Sequence, residues 1–198
     1  MIGFKKRKCF LVALVFFGFL VLIPRVLAEK SEIRVGDKVP NFVLEDAYEK
    51  RYELEKMKGK VIILIMGSKT TQEDINRWAE VLQQTFSNND SLEIFFVAEM
   101  RNIPFFVSKS FVRKKVKEKL RKDNFPLTTL LDWDQKVNKL LDADRDETDI
   151  FAIAPDGVLV SHQVGTYSEE KFRLLRNKIV EILDSDNLKE KKSKEEKE

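Results

Sequence analysis

Ser68, Lys69, Thr70, Thr71 and Glu73 put three hydroxyls, a cation and a carboxylate into six consecutive residues. Gly67 precedes them, after the apolar run Val61 to Met66. A short continuous apolar run reads as a central strand covered on both faces. Asp74 then opens Ile75, Trp78, Ala79, Leu82 and Phe86, the spacing of an amphipathic helix. A strand that feeds a helix through such a loop aims backbone N–H groups and a positive dipole end at whatever lies above it. The loop could therefore hold an anion or a peptide backbone. The structural alternative is a helix cap made by Thr70 or Thr71, with Glu73 favoured near the dipole. In thiol enzymes a reactive cysteine sits at this place, because the helix end lowers its pKa. Here the loop has none.

A hydroxyl nucleophile would need a base. His162 is the sole histidine. It falls in a predicted hairpin strand, where surface or packing roles come first. The run Asp142-Ala143-Asp144-Arg145-Asp146-Glu147-Thr148-Asp149 begins like a calcium loop. It then places Glu147 where the turn glycine belongs and Ile153 where the bidentate Glu belongs. It reads as a solvated acidic loop, and neither a metal nor a cofactor is called for. A second candidate surface is the basic helix holding Lys109, Arg113, Lys114, Lys115, Lys117, Lys119, Arg121 and Lys122, with Phe105, Phe106 and Phe111 at its start. It could dock on anionic lipid or an acidic partner. Its Val112, Val116 and Leu120 repeat as a stripe expected to pack on the sheet.

The elements that position these groups follow in order. Phe42 and Leu44 alternate with polar neighbours and predict a half-buried strand paired with a second through Tyr52 and Leu54. Leu92 to Ala98 predicts another buried strand, Leu127 to Leu131 a short one. Asp132-Trp133-Asp134 caps a helix with Val137, Leu140 and Leu141. Ile150 to Ile153 and Val158 to Val164 form a hairpin across Pro155-Asp156-Gly157. Phe172, Leu175, Ile179, Ile182 and Leu183 make the last amphipathic helix. The expected fold is an α/β sandwich with a central mixed sheet, helices on both faces and an N-terminal β-hairpin.

The chain has 198 residues and 36 basic against 33 acidic side chains. Lys5, Lys6, Arg7 and Lys8 precede the 15 apolar residues Cys9 to Ile23, and Val26-Leu27-Ala28 offers a cleavage site. Residues 1–28 read as a secretory signal peptide, 29–34 as a linker, 35–184 as the domain and 185–198 as a charged tail, disordered or a frayed extension of the last helix. The expected location is periplasmic; the alternative is an uncleaved inner-membrane anchor. The leader holds five of the basic residues and no acidic one, so the remainder has 31 basic against 33 acidic and a formal charge of −2. The basic balance belongs to the leader and does not point to nucleic acid. Cys9, also in the leader, is the single cysteine, so disulfides and thiol chemistry are excluded from the mature chain.

Gly36-Asp37-x-Val39-Pro40-x-Phe42-x-Leu44, then Leu54 and Lys58-Gly59-Lys60 before an apolar strand, resembles the opening of the redoxin and peroxiredoxin (AhpC/TSA-like) branch of thioredoxin-like proteins. Ile150-Phe151-Ala152-Ile153-x-Pro155-Asp156-Gly157-Val158-Leu159-Val160 resembles their late strand–turn–strand hairpin. Ile103-Pro104-x-Phe106-Val107 and Leu131-Asp132-x-Asp134-x-Lys136-Val137 are similar to the cysteine-poor periplasmic YtfJ-like subgroup. The resemblance implies a thioredoxin-like fold over residues 35–184. It places the usual thiol positions near Thr70 and Glu73, and the usual cis-proline near Thr148. Both halves of a redox site are missing. The expected function is binding to an envelope protein or peptide. The alternative is a degenerate thiol peroxidase or thiol-disulfide oxidoreductase relative with residual substrate binding or a cysteine-independent activity.

Overall fold

A computed structural model describes residues 33–101, 103–144 and 146–195, with the side chains of 186–195 left out. The leader, Cys9 and most of the linker lie outside the described residues. Seven strands form one sheet: β1 (Val43–Asp46), β2 (Arg51–Glu53), β3 (Val61–Gly67), β4 (Leu92–Glu99), β5 (Thr128–Asp132), β6 (Asp149–Ile153) and β7 (Leu159–Val164). Their spatial order is β2-β1-β5-β4-β3-β6-β7. β3 pairs parallel with β4 and β4 parallel with β5, while β6 runs antiparallel to β3 and β7. The sheet is thus mixed, and β1–β2 is the expected N-terminal hairpin.

The helices are α1 (Gln72–Phe86), α2 (Lys109–Lys122), α3 (Lys136–Leu141) and α4 (Glu169–Glu195). Because side chains alternate across a strand, β3 feeds both sides of the sheet. Ile62, Leu64 and Met66 join Phe95, Val97, Phe151 and α3's Val137 and Leu141. Val61, Ile63 and Ile65 join Ile75, Trp78, Ala79 and Leu82 of α1 and Leu175, Ile179 and Leu183 of α4. The α1 stripe is buried as its spacing predicts. Both core layers lie between Val39 and Leu183.

Two expectations change. Of the two readings of the tail, the helix extension replaces disorder over 185–195, where α4 continues to Glu195. Lys and Glu are good helix formers, so a polar run can extend an anchored helix without an apolar face. The α2 stripe is also different. Val112, Val116 and Leu120 are only half-buried, and the buried side chain of α2 is Arg113. Arg113 forms an ion pair with Glu45 of β1 and another at 3.6 Å with Glu49. Helix α2 is therefore fastened largely by charge and ring contacts.

Candidate functional site

β3 ends at Gly67, which lies beside Ala98 of β4 in register. A Cβ at Gly67 would sit 2.6 Å from Thr71 Oγ1 and 3.0 Å from Ile75 Cδ1. Ile75 is fully buried and Thr71 nearly so, so neither can yield. Gly67→Ala is expected to cost about 1–3 kcal/mol by overpacking. Urea unfolding checks this; an unchanged midpoint would mean that the turn is looser than its packing suggests.

Ser68 has extended backbone and caps a single 3-10 turn over Lys69–Thr71, which runs into α1. Its Oγ accepts from Thr70 N at 3.2 Å and lies 2.7 Å from Thr70 Oγ1. Thr71 Oγ1 accepts in turn from Ser68 N at 3.1 Å. The cap is therefore Ser68, with Thr71 reciprocating, instead of the Thr70 or Thr71 cap expected. The reason is the extra 3-10 turn, which moves the first unsatisfied N–H groups back toward Ser68. The Ser68 and Thr70 hydroxyls bond to each other and the Thr71 hydroxyl to the Ser68 backbone, while Lys69, Thr70 and Glu73 face solvent.

His162 is held elsewhere. Its Nε2 is 2.6 Å from Asp149 Oδ1, and its ring stacks on Phe151 at 4.2 Å between centroids. Phe151 belongs to the core layer on the α3 side, opposite the layer that α1 covers. Asp149 is buried, and its other oxygen accepts from Asp144 N at 2.8 Å, closing the acidic loop. Asp144 accepts from Asp146 N. These carboxylates serve as backbone acceptors. Thr148 immediately precedes β6, one step beyond the Met66–Asp149 pair, so the register brings it beside Gly67. It is 1% exposed, and its hydroxyl has no partner among the described residues.

The basic helix does not present eight free cations on one face. Arg113 points inward, and both its guanidinium and Lys109 Nζ lie over the Trp133 ring, at 5.3 and 5.1 Å from its centroid. Lys117 lies over Tyr48. Lys119 pairs with Asp123. Lys115 pairs with Glu118, and that hydrogen bond holds the Glu118 carboxyl below the usual range. Lys114, Arg121 and Lys122 are exposed and make no ion pair with a described residue.

The two candidate surfaces meet. Between the Gly67–Gln72 loop and α2 opens a cleft of about 270 Å³. Ser68, Lys69, Gln72 and Asn76 line one wall, and Val116, Lys119 and Leu120 the other. Phe96, Ala98, Phe125 and Thr129 also line it. Thr129 is 4% exposed and its Oγ1 is buried without a partner among the described residues. Sequence reading missed this cleft, since its lining comes from α1, β4, α2 and β5. The one hint was Phe96, a large ring at the C-terminal half of β4.

A central strand, a capped loop opening a helix, a parallel neighbour, a late antiparallel hairpin and a closing helix define a thioredoxin-like α/β protein. The chain belongs to the thioredoxin-like superfamily of thiol-disulfide oxidoreductases and their relatives. It is 30% identical over 172 residues to the thiol-disulfide oxidoreductase ResA of Bacillus subtilis (strain 168), spanning 83% of this chain and 89% of ResA. A thiol:disulfide interchange protein of the thioredoxin family from Chlorobium tepidum TLS superposes with a TM-score of 0.54 at 15% identity, covering 77% of this chain and 99% of that one. The thioredoxin domain of a thiol-disulfide oxidoreductase from Bacteroides vulgatus gives 0.54 at 14% identity, with 75% and 99% covered. These two likenesses carry the fold alone. No family model matches. The relatives support the superfamily, and not the narrower redoxin or YtfJ-like branch that the motifs suggested.

Proposed function

We propose that this chain is an exported thioredoxin-fold protein that acts by binding, with an extended segment of a cell-envelope protein or peptide held in the cleft between the Ser68 loop and α2. The observation that carries this reading is the cleft's chemistry. Its lining is mostly apolar, and it keeps one buried hydroxyl, Thr129 Oγ1, without a partner among the described residues. An apolar side chain of the ligand fills the space, and a polar group beside it satisfies Thr129. Lys69 and Lys119 stand on opposite walls, but Lys119 is paired with Asp123 and Glu99 lines the cleft too, so its charges are mixed and its apolar lining does the selecting. Thiol exchange has no thiol to use, because no cysteine follows Cys9. The leader supports export, and no helix among the described residues is long and apolar enough to cross a membrane.

An array of short peptides, probed with the chain from Glu29, tests this. Binding is expected to sequences with a large apolar residue next to a hydrogen-bonding side chain. Asn76→Trp, at an exposed position of α1 on the cleft wall, fills the mouth without touching the core. It is expected to weaken binding about tenfold or more. Equal binding by the variant, or none by the parent chain, would remove the cleft from the function. Catalysed insulin reduction by the parent chain would overturn the non-redox reading.

A further inference from the structure

We infer that the Phe105–Phe106 tip and the outer face of α2 dock this protein on an anionic lipid surface. The two rings are 101% and 77% exposed, and they touch each other edge to face at 5.6 Å. Phe111, on the first turn of α2, is 53% exposed. Among the described residues no other large apolar side chains are as exposed as the Phe105–Phe106 pair. Large rings held in water gain by entering an apolar phase, and a loop tip with two neighbouring rings needs no matching concavity to do so.

Charge selects the surface. Along α2, exposed Lys115, Glu118 and Lys122 follow Phe111 at helical spacing on the side opposite buried Arg113, and exposed Lys114 and Arg121 lie about a quarter turn round, on the flank. Lys114, Arg121 and Lys122 have no ion-pair partner among the described residues, and Glu118 is already taken by Lys115. The outer face is therefore cationic on a chain whose balance without the leader is acidic. Exposed rings at the head of a helix that carries unpaired cations match an acyl boundary beneath anionic headgroups. A protein partner would have to offer a ring-sized pocket ringed by acid, and nothing on this face specifies one.

The chain from Glu29 suits the test, because both core layers lie between Val39 and Leu183. Sedimentation with vesicles of phosphatidylcholine alone is compared with vesicles of mixed phosphatidylcholine and phosphatidylglycerol. Binding is expected to the anionic vesicles only, and to weaken as salt rises. Lys114→Ala, Arg121→Ala and Lys122→Ala are each expected to weaken it about fivefold. The Phe105→Ser/Phe106→Ser variant should weaken it about tenfold or more. All these side chains are exposed, so circular dichroism melts should match the parent chain. No preference for anionic vesicles overturns the inference. So does a ring variant that binds as the parent does, since charge alone would then explain sedimentation. Failure on both vesicles together with photo-crosslinking from position 106 to an envelope protein would assign the tip to a protein partner instead. The peptide array reads the cleft separately, so either result can fail alone.

Discussion

A chain carrying Thr70→Cys and Glu73→Cys is expected to reduce insulin disulfides in the presence of dithiothreitol, above a parent chain that stays at the uncatalysed rate. Positions 70 and 73 flank the start of α1, three residues apart, and both are exposed. Side chains three apart on a helical turn face the same way, and their Cβ atoms lie about 5–6 Å apart, close to what a disulfide needs after small adjustment. The free N–H groups and dipole of α1 stabilise a thiolate. They move a cysteine there from about 8.5 down toward about 7 or below. At neutral pH that changes the nucleophilic fraction from a few per cent to about half or more. Replacing Thr70 removes the 2.7 Å contact with Ser68 Oγ, but Ser68 and Thr71 still cap the turn. Thr148, beside Gly67 in register, offers no proline ring against the thiols, so the rate should stay below that of a natural oxidoreductase. A double variant that folds but leaves the insulin rate at background would show that more than the two thiols has been lost. The loop would then no longer have the geometry of a thiol site.

The second large effect lies on the other side of the sheet. Asp132→Ala should lower stability by at least about 3 kcal/mol, a large share of the about 5–15 kcal/mol of an ordinary domain. Asp132 is 1% exposed at the end of β5. Its Oδ1 accepts from Lys136 N at 2.9 Å. Its Oδ2 accepts from Val137 N, Asn138 N and Asn138 Nδ2 at 3.0, 3.0 and 2.9 Å. One carboxylate therefore satisfies the whole N-terminus of α3, whose own cap position, Gln135, makes no side-chain cap. Alanine leaves four donors without a partner, each costing about 1–3 kcal/mol where water cannot reach. Trp133 follows directly and lies under Lys109 and Arg113 of α2. The variant should therefore also loosen α2 and weaken peptide binding in the cleft. Urea unfolding reads the first effect and the peptide array the second. Asp132→Asn, which keeps one acceptor oxygen, should lose roughly half as much. An alanine variant with a parent-like midpoint would mean that water or a rearranged Asn138 replaces the carboxylate.

These cases show what could be read in advance. Asp132 was legible as a cap because it stands between a strand and an apolar repeat, and capping is a local matter. The α1 stripe, β3 and the β6–β7 hairpin were legible for the same reason: their signals are periodicity and turn residues within a few positions. The Ser68 cap was displaced because a 3-10 turn inserted before α1 shifts the unsatisfied donors by a few residues, and spacing alone does not reveal that turn. Arg113 read as one more cation on a basic helix. Whether it is buried depends on Glu45 and Glu49, more than sixty residues earlier, and on Trp133, twenty residues later.

By itself the sequence determined the superfamily's scaffold, the absence of any cysteine after Cys9, and the polar loop at the head of α1. All three follow from residue types and from contacts along the chain. Only the tertiary structure decided that the loop's hydroxyls are satisfied within the loop itself, that His162 belongs to Asp149 and Phe151 on the far face, and that the loop and the basic helix share a cleft over Thr129. Those outcomes depend on which strands the sheet sets side by side. Pairing β3 with β4 and β4 with β5 is a matter of long-range packing that no local spacing encodes.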